Sequence, residues 1–194
     1  PKAVATASEM LTCAKTSVAL DGTGSSAGTN YLYRWEAAPG NVVDGITSLK
    51  PNVNQPGIYK LVVVNQLNGC TDVASVTVTA EQSFPIANPG PDQVVNCIVK
   101  NATFDASGSS SGPDFTYHWT PPPGAAINGG ITSVNPVVTG PGTYTLTVTS
   151  SINGCSSTAT VDVLEDIKAP VAAIDTPGIL NCSVQALTLD GSLS

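Results

Sequence analysis

The chain has 194 residues, a net charge of −7 from 7 Lys plus Arg against 14 Asp plus Glu, and 11% charged side chains, under half the roughly 25% of ordinary soluble domains. It is 41% hydrophobic but only 5% aromatic, with 18 Gly, 15 Pro, one His and one Met; this is the composition of short strands joined by turns, and it excludes a helical bundle, a coiled coil and an acidic disordered tail. Clustered cations that would bind nucleic acid or an anionic membrane are missing, and no run of 18 apolar residues offers a membrane-spanning helix.

Along the chain the apolar period is two, the signature of half-buried strands. Tyr33 and Trp35 share one face of an early strand and are expected to fill a core. Tyr59, Leu61 and Val63 form the inner face of the next long strand, which leaves Ile58, Val62 and Val64 outward. Asn68-Gly69 marks a hairpin, because Asn and Gly tolerate positive φ. Ala74, Val76 and Val78 then alternate with Ser75, Thr77 and Thr79. A short proline joint, Glu81-Gln82-Ser83-Phe84-Pro85, follows and reads as a semi-rigid spacer. The series then begins again: Tyr117 and Trp119, Tyr144, Leu146 and Val148, Asn153-Gly154, and Ala159, Val161 and Val163, up to a second joint at Glu165–Pro170.

The two series are one repeat. Cys13, Cys97 and Cys182 are spaced 84 and 85 residues apart, Cys70 and Cys155 85 apart, Trp35 and Trp119 84 apart, and Tyr59 and Tyr144 85 apart. Gly45-Ile46-Thr47-Ser48 answers Gly130-Ile131-Thr132-Ser133, and Pro56-Gly57-Ile58-Tyr59 answers Pro141-Gly142-Thr143-Tyr144. Two full copies are expected at 1–84 and 85–169, with 170–194 as the first strands of a truncated third, as in an interior slice of a longer array. Seven or so short strands in about 85 residues predict an all-β fold of tandem two-sheet sandwiches.

Phe104-Asp105-Ala106-Ser107-Gly108-Ser109-Ser110, Tyr117-His118-Trp119 and Pro141-Gly142-Thr143-Tyr144-Thr145-Leu146-Thr147-Val148 resemble the PKD-type immunoglobulin-like repeat. With the Cys and Asn-Gly-Cys pair, the chain is similar to the variant found in very large surface proteins of gliding, type IX-secreting bacteria. The Gly-Asp-Gly turn usual after the Trp in that family is replaced by Pro39-Gly40 and Pro123-Gly124. The resemblance implies an extracellular sandwich repeat of an adhesin, a surface fibre or a multidomain secreted enzyme, and carries over no catalytic residue.

Five cysteines in such a chain read as disulfides of an oxidising compartment. Stapling of each small sandwich, together with the family resemblance, favours Cys13–Cys70 and Cys97–Cys155, with Cys182 paired beyond the chain. The 57-residue loop from Cys13 to Cys70 would contribute about 4 kcal/mol in the chain-entropy model. Periodicity alone also permits Cys70–Cys97 and Cys155–Cys182, which would lock successive copies together, and buried reduced thiols are a third possibility.

Catalytic chemistry finds little support. His118 aligns with Arg34 on the face opposite Trp119 and reads as an exposed strand residue, and Glu36, Asp44, Asp72, Asp114 and Asp162 are scattered singly rather than paired across a cleft. No enzyme activity or cofactor is expected, with calcium as the one credible ligand. Its candidate ligands are Asp105 and Asp114, with Asp21, Asp190 and Glu165-Asp166 in second place; Asp21, Asp105 and Asp190 each stand eight residues after a Cys and read first as turn caps.

The outward Ile58, Val62 and Val64 of the first copy become Thr143, Thr147 and Thr149 in the second. That stripe is the candidate packing surface against an identical chain in a filament bundle. The function expected is a structural segment of an extracellular surface fibre or adhesin stalk that mediates attachment. The alternative is a carbohydrate- or protein-binding spacer module of a secreted enzyme.

Overall fold

The computed structural model describes residues 1–38, 42–174, 176 and 178–192. Pro39-Gly40 lies outside them. Sixteen strands are assigned among the described residues, and no helix. The first nine are β1 (Thr6–Ala7), β2 (Leu11–Thr12), β3 (Val18–Asp21), β4 (Tyr31–Ala38), β5 (Val42–Asp44), β6 (Asn52–Val53), β7 (Gly57–Asn65), β8 (Thr71–Val78) and β9 (Ala80–Glu81). The other seven are β10 (Gln93–Asn96), β11 (Asn101–Thr103), β12 (Phe115–Thr120), β13 (Ala126–Asn128), β14 (Val137–Thr139), β15 (Gly142–Ser150) and β16 (Ser156–Asp166).

The fold is an all-β sandwich built twice. In the first copy one sheet has the order β1-β3-β6-β5 and the other β4-β7-β8, with β2 pairing parallel to β9 at the end of the second sheet. In the second copy the sheets are β11-β14-β13 and β10-β16-β15-β12, β10 again parallel to the final strand.

Period-two patterning becomes two cores. Leu11, Val18, Leu20, Trp35, Val53, Tyr59, Leu61, Val63 and Val78 fill the first. Val95, Ala102, Phe104, Trp119, Val138, Tyr144, Leu146, Val148, Val161 and Val163 stand in the second. Trp35 and Trp119 are fully buried as expected, and each indole N–H finds an acceptor, the carbonyls of Ser48 at 2.8 Å and Ser133 at 3.0 Å. This explains the Gly-Ile-Thr-Ser word: its last residue satisfies the buried indole, and its Ile carbonyl accepts the Trp main-chain N–H, at 2.8 Å in both copies. Tyr59 and Tyr144 sit near the start of their strands, buried, and donate back to the carbonyls of Gln55 (2.7 Å) and Gly140 (2.9 Å), the corner that closes an immunoglobulin-like sandwich. Burial pushes both phenols above their ordinary value.

The strands expected within 170–194 are not seen among the described residues there, which are almost all exposed. Two strands with no partner sheet have no core to bury. One local feature persists: the Asn181 side chain accepts from the N–H groups of Ser183 (2.8 Å) and Val184 (2.9 Å), around Cys182.

Candidate functional site

The two copies meet at a bond that the sequence reading did not pair: Cys13 is joined to Cys155, with Cα atoms 4.9 Å apart and a sequence separation of 142. Both expected registers are corrected. Cys13 directly follows β2, whose Thr12 pairs with Glu81 at the far end of the last strand of the first copy. Cys70 directly precedes β8, which leads into β9, and so stands eleven residues before Glu81, at about 3.3 Å per residue roughly 36 Å away. The same holds for Cys97 and Cys155, since Asn96 pairs with Asp166 and Cys155 precedes Ser156. A disulfide needs Cα atoms within about 7 Å, so neither within-copy pair can close. Cys70–Cys97 fails as well, because those two cysteines stand at the outer ends of the two sandwiches. Cys70, Cys97 and Cys182 are exposed thiols.

The joint is built around the Asn-Gly-Cys turn. Gly154 adopts φ +72°, which lets the chain bend from β15 into β16. The Asn153 side-chain oxygen accepts the Cys155 N–H at 3.0 Å, and the Gly154 N–H bonds the Ser150 carbonyl at 2.9 Å. The other copy then closes over this turn. The Ala14 N–H donates to the Asn153 carbonyl at 3.0 Å, and the Asn153 amide donates to the Ser83 carbonyl in the linker at 2.9 Å. A Cβ on Gly154 would stand 2.5 Å from that of Ala14, so the close approach needs glycine. Asn153 is only 4% exposed and Cys155 0%. Hydrogen bonds from Ser83, with a smaller contribution from Asn153, hold the Glu81 carboxyl below its usual range. The linker, the Cys13-Ala14 segment and the turn thus form one connected unit.

The outward stripe of the first copy is where the alternation placed it. Ile58 is 49% exposed, and Val62 and Val64 are half-buried. Across the strands, Val64 stands opposite Leu32, and Val62 opposite Val73, both 52% exposed. Leu32, Val62, Val64 and Thr71 line a groove of about 780 Å³ on this face. In the second copy Thr147 lies between His118 and Thr158 instead, and His118 is exposed.

Asp21, Asp105 and Asp190 act as turn caps. Asp105 accepts the Ser107 N–H at 3.0 Å, Asp21 accepts both the N–H (2.8 Å) and hydroxyl (2.6 Å) of Thr23, and Asp190 accepts the Ser192 N–H at 2.9 Å. These bonds hold all three carboxyls below their ordinary value. At Asp114 it is the main-chain carbonyl that is engaged, by the N–H (2.7 Å) and hydroxyl (3.1 Å) of Ser151. Glu165 and Asp166 lie exposed at the end of β16. No group of three or more His, Cys, Asp or Glu side chains suited to a metal ion occurs among the described residues. With both Trp in the cores, Phe84 is the one strongly exposed Phe, Tyr or Trp ring among them, and Tyr31 and Tyr33, which also line the groove, are half-buried.

No family model and no curated protein matches the chain. Among solved structures, the PKD domain of the KIAA 1837 protein is similar at 28% identity and TM-score 0.35, over 48% of this chain and 98% of that one. Immunoglobulin domains 1–4 of Sidekick-1 are similar at 12% identity and TM-score 0.34, over 84% of this chain and 47% of that one. A SusE-like surface-located polysaccharide-binding protein of Bacteroides thetaiotaomicron is similar at 10% identity and TM-score 0.43, over 86% of this chain and 34% of that one.

Proposed function

We propose that the chain is a non-catalytic structural segment of an extracellular surface fibre or adhesin stalk, whose task is to carry tension between a cell and what it touches. The Cys13–Cys155 bond is the observation that supports this reading. It joins residues 142 positions apart, so a pull on the two ends passes through the first 13 residues, the bridge and the residues after 155. The 141 residues between are bypassed. A disulfide placed to stabilise one sandwich would lie within it; this one spans the joint, where load passes from copy to copy. The bond also requires an oxidising compartment. The stalk reading is favoured over a sugar-binding module by the lack of a row of strongly exposed aromatic rings among the described residues.

Immunogold labelling of intact cells that make the protein, with antibodies raised against the chain, tests this. Gold spaced along filaments projecting from the cell is the expected result. Label confined to the cell interior, or to soluble secreted enzyme with none on the surface, overturns it.

A further inference from the structure

We propose that the Asn68-Gly69-Cys70 turn is a preformed socket for the cysteine turn of a preceding copy, and that Cys97 is the plug for the socket of a following copy. The joint seen at Cys13–Cys155 would then recur along the array with fixed polarity. The inference rests on the stalk reading only for the presence of neighbouring copies.

The socket of the first copy has the shape of the occupied one. Gly69 has φ +69° against +72° for Gly154. The Asn68 side-chain oxygen accepts the Cys70 N–H at 3.0 Å, as Asn153 does for Cys155. The Gly69 N–H bonds the Asn65 carbonyl at 2.8 Å, as Gly154 bonds Ser150 at 2.9 Å. Only the cover differs. Where Ala14 lies over Gly154, nothing stands within 4 Å of a Cβ placed on Gly69. Asn68 and Cys70 are exposed, whereas Asn153 and Cys155 are buried.

The plug is likewise formed three times. In the first copy the Thr12 N–H bonds the Lys15 carbonyl at 2.9 Å around Cys13; Asn96 bonds Val99 at 2.8 Å around Cys97; Asn181 bonds Val184 at 3.0 Å around Cys182. The residue after the occupied plug cysteine, Ala14, packs on the socket glycine. Its counterpart Ile98 is 91% exposed, an apolar side chain held out at the end of the second sandwich. Plug and socket stand at opposite ends of each sandwich, so a copy cannot satisfy itself and must pair with its neighbours. When the bond closes, the two thiols lose two protons and two electrons to a disulfide oxidant such as oxidised glutathione, which leaves as two thiols.

The test completes the third copy by appending residues 110–169 after Ser194 of the full chain, then maps disulfides by mass spectrometry after oxidation in a glutathione buffer. The expected map holds Cys13–Cys155 and a bond from Cys97 to the appended copy of Cys155. Cys97 left open to alkylation while Cys13–Cys155 is closed, or Cys97 bonded elsewhere, overturns the inference and leaves the stalk reading standing. Should the appended copy fail to fold, the unextended chain decides: Cys70→Ser and Cys97→Ser variants, both also Cys182→Ser, are mixed under the same oxidation. Complementary docking predicts Cys70–Cys97 cross-links over each symmetric dimer by at least about tenfold, equivalent to about 1.4 kcal/mol. The roughly twofold excess of random pairing overturns it.

Discussion

Pulling on the single chain distinguishes a staple across the joint from one inside each sandwich. With handles at Pro1 and Ser194, the oxidised chain carries load through 53 residues and the bridge. At about 3.5 Å per extended residue, its greatest length is roughly 190 Å. Reduction, or Cys155→Ser, puts all 194 residues in the load path, for roughly 680 Å. The reduced chain should therefore lengthen in two long steps of roughly 230 Å each, one per sandwich, once the folded length is subtracted. The oxidised chain should show neither, yielding only what β1 and β2 can peel at one end and β16 at the other. Optical-tweezer traces with and without dithiothreitol measure this directly. Two long steps in the oxidised chain, with the disulfide verified by mass, would refute the bypass.

Three further outcomes are expected. Gly154→Ala should block closure of Cys13–Cys155, read by thiol titration, because its Cβ meets Ala14 at 2.5 Å; Gly69→Ala meets nothing and should show only the strain of a left-handed φ, about 1–2 kcal/mol in chemical denaturation. Asp72 accepts the Ala3 N–H at 2.7 Å, and that bond, then one from Val73, holds its carboxyl below the ordinary value. The unfolded chain thus binds this proton more readily, and stability present above the ordinary carboxylate pKa of about 4 should be lost as pH falls through it and below. The protection factor of the Ala3 amide, its exchange rate taken against the intrinsic rate at each pH, should fall over that window, and Asp72→Asn should remove the dependence. Val62→Thr with Val64→Thr adopts the residues already at 147 and 149, so stability should change by less than about 1 kcal/mol. Any self-association through this face should fall in sedimentation velocity.

Most of the sandwich was legible because its physics is local. Alternation assigned Tyr59, Leu61 and Val63 inward, and all are fully buried. The repeated words marked real devices: the indole acceptor at Ser48 and Ser133, the tyrosine corner, and the Asp turn cap. The disulfide register was not legible from spacing. Periodicity sorts the cysteines into two kinds but is silent on which ends of which copies touch. Strand polarity held the missing signal. Cys13 directly follows a strand that runs parallel to β9, whereas Cys70 directly precedes β8, which leads into β9, and this places the two at opposite ends of the sandwich.

That separation also explains why the covalent bond lies where it does. Each core buries a Trp, a Tyr and a set of aliphatic side chains, and the disulfide among the described residues lies between the sandwiches rather than inside either. Across the joint the main polar links are Ala14 to Asn153 and Asn153 to Ser83, each worth about 1 kcal/mol net. Left to those bonds, load would part the copies first and then unfold them singly. With every plug bonded to the next socket, the backbone bearing tension between Cys155 and Cys182 is 27 residues, roughly 95 Å when taut. That stretch serves two copies, whose unstapled chain of about 170 residues would reach roughly 600 Å. An array so joined is nearly inextensible although none of its sandwiches is individually locked.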